Sequence, residues 1–186
     1  GCCWAGLDLS RTRDMTALVL VFRGDEDEEY NLLPYYWLPE DRAAEIEHLC
    51  PVRQWAAQGA IELTPGGVTD YGFVRSRFRA MADRFSIMEL AYDPRFAEET
   101  TQALSEGVAS ADGETVEAGT GVMRFVFAQT DENFASPTED FERLVLAGRL
   151  HHNGHPVLSW QAGHAAVIRR AATRVKRVVK PKATGH

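Results

Sequence analysis

Residues 3–38 read CWAGLDLSRTRDMTALVLVFRGDEDEEYNLLPYYWL, and this stretch predicts three β-strands joined by two short polar turns. The apolar run 3–9 is typical of a buried strand, and the run 16–22 is rich in valine and leucine. The third strand, 30–38, is aromatic and follows a charged turn. Strands separated by such short turns pair as an antiparallel meander, so we expect the fold to begin with one.

Beyond residue 38 the hydrophobic pattern alternates between helices and strands. Asp70 is predicted to cap one helix, and Ser136-Pro137 is predicted to open another. The predicted helices are 40–59 (interrupted at Pro51), 71–84, 95–106 and 137–148, and the predicted strands are 61–63, 86–92, 123–128 and 165–168. Residues 109–121 are expected to form a loop. We therefore expect one α/β domain over residues 1–186, with a mixed sheet of five or six strands and helices on both faces.

The composition excludes several classes of protein. Of the 186 residues, 45% are apolar and 25% are charged, which are globular values that argue against a disordered chain. The longest aliphatic run, 17–22, is far shorter than the roughly 20 residues of a membrane-spanning helix, and no signal peptide is visible. The odd set Cys2, Cys3 and Cys50 supports neither a disulfide framework nor a zinc site, so a reducing cytoplasm is expected.

Charge is distributed unevenly along the chain. The formal net charge is −7, yet all 27 acidic residues lie within residues 1–142, and residues 143–186 contain nine basic residues and no acidic one. We predict that this basic segment contacts the phosphates of a polyanion such as a nucleic acid, the alternative being a solvated, flexible tail over 173–186. The candidate nucleic-acid-binding residues are Arg169, Arg170, Arg174, Lys176, Arg177, Lys180 and Lys182.

Two aspartates each follow an apolar strand. Asp8 ends the first strand, and Asp93 follows the strand at 86–92. A carboxylate in such a place is costly unless it is paired, hydrogen-bonded or bound to a cation, although each aspartate could simply start a turn or cap a helix. If the two strands are parallel neighbours, Asp8 and Asp93 lie side by side at the carboxyl edge of the sheet, where ligands of α/β proteins gather.

Two adjacent carboxylates repel each other and favour a cation between them. Hard divalent ions such as magnesium or manganese prefer oxygen ligands. A pair of such ions, about 3.5–4 Å apart, holds the attacking water and the leaving oxygen of a phosphodiester. Asp8 and Asp93 are therefore the candidate catalytic and metal-binding residues. Asp14 is a possible accessory residue, for which a role in the turn is favoured.

Other motifs that carry chemistry are weak or missing in the sequence. No G-x-x-x-x-G-K-[ST] phosphate loop and no G-x-S-x-G nucleophile motif occurs. His151, His152 and His155 lie close together in the chain, but their spacing does not match a zinc-binding helix. These histidines are predicted to lie in a polar loop.

Several short motifs follow one another in a characteristic order. They are GLDLS at 6–10, RDMTAL at 13–18, LTPG at 63–66, DY at 70–71, AYDP at 91–94, FAQ at 127–129, ERLV at 142–145 and HNGHPVLSW at 152–160. Each motif alone is weak, but the ordered set resembles the nuclease domain of tailed-phage terminase large subunits over nearly the whole chain.

This resemblance implies an RNase H-like fold and a metal-dependent endonuclease that cuts concatemeric DNA during packaging. It implies that Asp8 and Asp93 are the first two metal-binding aspartates. The family's third carboxylate, final helix and ATPase domain are expected to lie outside this sequence, so the 186-residue chain is expected to cut weakly or not at all. The implied partners are double-stranded DNA, the terminase ATPase domain, the small terminase subunit and the portal, in the cytoplasm of an infected or lysogenic bacterial host. No membrane partner is implied.

Two other functions stay open on the sequence. An actin-like phosphotransferase also begins with a Gly-x-Asp strand and a hairpin, but it needs a longer chain and further glycine-rich loops. A non-catalytic module that docks DNA or packaging proteins would suit a fold with two of the three metal ligands.

Overall fold

The computed structural model describes residues 1–169 and 176–179. The strands are β1 (Cys2–Asp8), β2 (Thr16–Arg23), β3 (Tyr30–Pro39), β4 (Glu62–Thr64), β5 (Ser86–Tyr92), β6 (Gly107–Ala109), β7 (Thr115–Ala118), β8 (Met123–Val126), β9 (Leu150–His151), β10 (Ala166–Arg169) and β11 (Lys176–Val179). The helices are α1 (Glu40–Ile46), α2 (Val52–Ala57), α3 (Tyr71–Ala82), α4 (Pro94–Glu106), α5 (Asp131–Leu146) and α6 (Pro156–Gly163). In this described part, no helix is both long and apolar enough to cross a membrane.

A mixed sheet of seven strands forms the centre of the described residues. Six strands lie in the order β4-β3-β2-β1-β5-β8, and β9 pairs with the beginning of β3. The antiparallel pairing of β1, β2 and β3 confirms the predicted meander, and β5 and β8 continue the sheet from β1 in parallel. The expectation of five or six strands missed β9, which has two residues and is too short to show an alternating pattern.

Hydrophobic cores lie on both faces of the sheet, which confirms the predicted α/β architecture. Neighbouring residues of β3 belong to different cores, because successive side chains of a strand point to opposite faces. Trp37 packs in the core formed with α3 and α4, where Phe78 and Leu90 are fully buried. Leu38 packs in the second core with α1, α2 and α6, where Val157 is fully buried.

The segment that was expected to be a loop at 109–121 contains part of a hairpin made of β6 and β7. Glu117 of β7 accepts hydrogen bonds of 2.9 and 3.0 Å from Arg75, and its Oε2 lies 2.6 Å from Nη1 of Arg79. Both arginines lie on α3, one helical turn apart. Gly107 begins the hairpin with a φ of 90°, and a Cβ there would lie 2.6 Å from the carbonyl oxygen of Glu117. Contacts with a distant helix therefore order a stretch whose own sequence is small and polar.

We expect Glu117→Gln to destabilise the fold by about 1–2 kcal/mol at pH 7, because it breaks a charge-assisted network on α3. The hydrogen bonds from Arg75 hold the pKa of Glu117 below its ordinary value. A carboxylate with a lowered pKa in the folded state stabilises the fold above its unfolded pKa, and this stabilisation is lost as the pH falls through the folded pKa. The free energies of unfolding of the variant and the wild type, measured with urea, should therefore become equal as the pH falls below about 4.5.

The matched control for this prediction is Glu114→Gln, which changes an exposed glutamate in the same hairpin. It should leave the free energy of unfolding within about 0.5 kcal/mol of wild type. An equal destabilisation in both variants, or one in Glu117→Gln that does not depend on pH, would contradict the role assigned to the network.

Helix α5 begins earlier than the sequence predicts. The signals at Ser136 and Pro137 favour a start at 137, but Pro137 lies inside the helix. The hydroxyl of Thr130 caps the helix by accepting a hydrogen bond of 3.2 Å from the backbone N–H of Asn133. The acidic residues Asp131 and Glu132 follow in the first turn, where negative charge is favourable. The earlier cap therefore determines the start. The short helix α6 was not predicted from the sequence.

Candidate functional site

The candidate catalytic aspartates lie at the carboxyl ends of neighbouring strands. β1 and β5 are parallel, and their register pairs Leu7 with Tyr92, the residues immediately before Asp8 and Asp93. Adjacent strands are about 4.8 Å apart, so Asp8 and Asp93 lie at neighbouring positions along the same edge of the sheet. Asp8 is exposed and Asp93 is half-buried. The structure thus has the parallel pairing on which the sequence hypothesis depended.

Asp93 also has a structural task. Its Oδ1 accepts a hydrogen bond of 3.1 Å from the backbone N–H of Arg95, and Pro94 begins α4. This is the capping role that the sequence left as an alternative, and it engages one of the two carboxylate oxygens. Capping and metal binding are compatible, because a carboxylate oxygen has more than one lone pair and Asp93 has a second oxygen.

The donor set at this edge fits magnesium or manganese. Among residues 1–169 and 176–179, no group of three or more His, Cys, Asp or Glu side chains is close enough to form a metal site by itself. Mg²⁺, however, is usually bound through one or two carboxylates and completes its octahedron with water and substrate phosphate. Asp8 and Asp93, at the ends of paired strands, match this number of carboxylates.

The loop between β1 and β2 is held in place by its own polar side chains and by a neighbouring segment. The hydroxyl of Thr16 donates to the carbonyl oxygen of Ser10 and accepts from its N–H, at 3.1 and 3.0 Å. The Ser10 hydroxyl accepts a hydrogen bond of 3.2 Å from the N–H of Asp14. The N–H of Thr69 donates to the carbonyl oxygen of Arg11 at 2.8 Å. The backbone of Asp14 is therefore part of an ordered turn next to the sheet edge, and the role of its carboxylate stays a prediction.

Three residues at this edge were missed by the sequence analysis. The guanidinium carbons of Arg11 and Arg95 lie 5.3 and 5.1 Å from the centre of the Phe96 ring. Phe96 has a φ of 69°, in the left-handed region, although it lies within the span of α4. A phenylalanine in this conformation is rare, and nothing in the local sequence AYDPRF predicts it.

The histidines at 151–155 make structural contacts instead of a cluster around an ion. Nε2 of His151 lies 2.8 Å from Oε1 of Glu29. Nδ1 of His152 accepts a hydrogen bond of 3.1 Å from the N–H of His155. Nδ1 of His155 accepts one of 3.5 Å from the N–H of Leu158 at the start of α6, and burial lowers the pKa of His155. His152 and His155 thus support the start of α6, whereas His151 lies in β9 and not in the predicted loop.

The basic segment is only partly within the described residues. Its backbone forms the antiparallel pair β10 and β11, in which Arg169 is opposite Lys176 and Ile168 is opposite Arg177. β11 packs against α5. The candidate DNA-binding residues Arg170, Arg174, Lys180 and Lys182 lie outside the described residues, so their role stays a prediction.

Comparison with known proteins identifies the class. Residues 2–186 match the sequence profile of the endonuclease domain of terminase large subunits. The chain belongs to this family, as the ordered motifs indicate.

Particular relatives agree with that assignment. The chain is 29% identical over 184 residues to the terminase large subunit of Enterobacteria phage HK97, covering 98% of this chain and 34% of that protein. It is 25% identical over 188 residues to Protein YmfN of Escherichia coli K12, covering 96% of this chain and 38% of that protein. The crystal structure of the HK97 bacteriophage large terminase superposes with a TM-score of 0.80 at 29% identity, over 99% of this chain and 36% of the other. The chain thus spans little more than a third of the relatives it matches.

Proposed function

We propose that this chain is a divalent-metal-dependent DNA endonuclease domain that cuts concatemeric DNA for packaging. The observation that carries the proposal is the parallel register of β1 and β5, which sets Asp8 and Asp93 at adjoining strand ends. Membership of the terminase endonuclease family supports DNA as the substrate.

The roles of the residues follow from their chemistry. Asp8 and Asp93 would hold magnesium or manganese, with room in the coordination shell for water and a phosphate oxygen. When bound, two such ions supply an activated water and stabilise the charge that develops on the scissile phosphate. The hydrogen bond from the Arg95 N–H fixes one oxygen of Asp93, so its side chain is oriented before an ion binds. Asp14 would keep its turn role, since its backbone N–H donates to the Ser10 hydroxyl within the loop, and an outer-shell role for its carboxylate is the alternative.

The basic residues from Arg169 to Lys182 would contact backbone phosphates, which carry no sequence information. Cleavage is therefore proposed to have little sequence preference. The proposed partners of the larger assembly are double-stranded DNA, the terminase ATPase domain, the small terminase subunit and the portal.

Metal dependence is the first test of the proposal. Mn²⁺ soaked into crystals should give an anomalous peak between the carboxylates of Asp8 and Asp93, and Mn²⁺ in solution should raise the melting temperature. Plasmid DNA should be nicked with Mn²⁺ and left intact with a chelator. The absence of both a peak at this edge and a shift in melting temperature would overturn the proposal.

A second candidate is a non-catalytic module that docks DNA or packaging proteins. The specific observation in its favour is that the described residues provide two carboxylates and no third ligand at the sheet edge. DNA binding in chelator, combined with no nicking under manganese, would favour this candidate over the endonuclease.

A further inference from the structure

We propose that Arg11 and Arg95, gathered on the ring of Phe96, form a binding site for backbone phosphates of DNA beside Asp8 and Asp93. The inference deepens the proposed function and rests on it. It adds a contact surface at the sheet edge, made of residues other than those of the basic C-terminal segment.

The two arginines come from the loops that follow the two aspartates. Arg11 lies three residues after Asp8, and Arg95 lies two residues after Asp93. Their guanidinium groups are 5.3 and 5.1 Å from the same ring, so the loops converge at one place. Both cations thus belong to the segments that carry the two aspartates, and the proposal is that they contact phosphates of the strand bound there.

Arg11 is positioned by backbone contacts. Its carbonyl oxygen accepts a hydrogen bond of 2.8 Å from the N–H of Thr69, in the segment just before α3. The Ser10–Thr16 hydrogen bonds close the same loop. The loop is thus anchored at several points, which reduces the entropy that a ligand would otherwise have to remove on binding.

Phe96 adopts a conformation that its side chain does not favour. Arg95 and Phe96 have φ and ψ values of −66° and 112°, then 69° and −6°. These are the central angles of a type II turn, in which glycine is the ordinary residue at the second position. The turn leaves Phe96 44% exposed, with its ring in contact with both arginines. Strained backbone of this kind is concentrated at functional sites, where it fixes a side chain that a relaxed turn would not present.

Charge identifies the class of ligand. Arg75, Arg124 and Arg143 each form a salt bridge with a glutamate, whereas the contact that Arg11 and Arg95 share is with the ring of Phe96. A guanidinium group binds phosphate oxygens through paired hydrogen bonds, and it stacks on aromatic rings without losing these donors. Two such groups on one ring are suited to an anion with several oxygens. Because the neighbouring aspartates are proposed to act on DNA, we take that anion to be the DNA backbone.

The test measures binding without cleavage. A fluorescent DNA duplex is titrated with the 186-residue chain in chelator, and the anisotropy is followed at several salt concentrations. Arg11→Ala and Arg95→Ala should each weaken binding by roughly three- to tenfold and lower the slope of log K against log salt by about 0.9 for each phosphate that is no longer neutralised. Arg11→Lys should keep the slope, because the charge is retained, but should bind more weakly than wild type.

The matched control is Arg84→Ala. Arg84 also lies over an aromatic ring, 5.4 Å from the centre of Phe85, but it precedes β5 and so lies at the opposite edge of the sheet. This variant should bind as wild type does. Phe96→Gly provides a further test, since it relieves the strained backbone while it removes the ring. It should fold at least as stably as wild type and bind DNA as weakly as the arginine variants.

The inference would be overturned if Arg11→Ala and Arg95→Ala both kept the affinity and the salt slope of the wild type. It would also be overturned if the wild-type chain did not bind the duplex in chelator. These results are separate from the test of the proposed function, which depends on Mn²⁺ binding at Asp8 and Asp93. If the chain binds DNA through the arginines but neither binds Mn²⁺ nor nicks DNA, only the endonuclease proposal is contradicted.

Discussion

Replacing Asp8 or Asp93 with asparagine is expected to abolish metal-dependent nicking of DNA, a decrease of at least about a hundredfold, while the chain stays folded. Asparagine keeps the size of the side chain and removes the negative charge that would hold the ion. It also keeps an oxygen acceptor, so the side chain of the Asp93→Asn variant can still cap the turn by accepting from the Arg95 N–H. The nicking rate with Mn²⁺ and the rise in melting temperature caused by Mn²⁺ should both disappear.

The control for this experiment is Asp70→Asn. Asp70 caps α3 by accepting a hydrogen bond of 2.7 Å from the N–H of Gly72, the same structural task that Asp93 performs for its turn. It should leave the nicking rate and the Mn²⁺ response unchanged. Nicking that persists in either Asp8→Asn or Asp93→Asn would refute the assignment of the site.

Truncating Phe78 to alanine should destabilise the fold by about 3–5 kcal/mol. Phe78 lies on α3, has no exposed surface and packs in the core beneath β1, β2 and β5. Removal of the ring reduces the buried apolar area and leaves a cavity between the helix and the sheet. Because small domains have only about 5–15 kcal/mol of stability, the urea midpoint should fall sharply.

Phe141→Ala is the matched control for this stability effect. Phe141 is also on a helix, α5, but 49% of its side chain is exposed. Its replacement should cost less than half as much, about 1–1.5 kcal/mol, since only about half of its surface is buried and alanine favours the helix. Similar destabilisation in both variants would show that the core does not lie where the structure places it.

Much of the fold could be predicted from sequence because its signals are local. The meander follows from three apolar runs and their short polar turns, and Asp70 and Gly107 begin or end helices where the sequence places them. The same local pattern identified Asp8 and Asp93, since a carboxylate after a buried strand is conspicuous in one segment alone.

The remaining features depend on residues far apart in the chain. The hairpin of β6 and β7 is ordered by Glu117 and two arginines of α3, and neither segment reveals the other. The start of α5 was predicted wrongly because two capping signals compete, at Thr130 and at Ser136, and the chain alone does not rank them. Arg11 and Phe96 are far apart in the chain and do not belong to one sequence motif. They come together only because two segments of the chain converge in the fold.

The sequence by itself determined the strands of the meander, the two aspartates at strand ends and the family to which the chain belongs. These features are encoded within short segments, by hydrophobic period, by capping side chains and by ordered motifs. Only the tertiary structure decided that β1 and β5 are parallel neighbours, and that Arg11 and Arg95 meet on one ring. The physical reason is that strand pairing and loop convergence arise from burial of the whole core, which no single segment encodes.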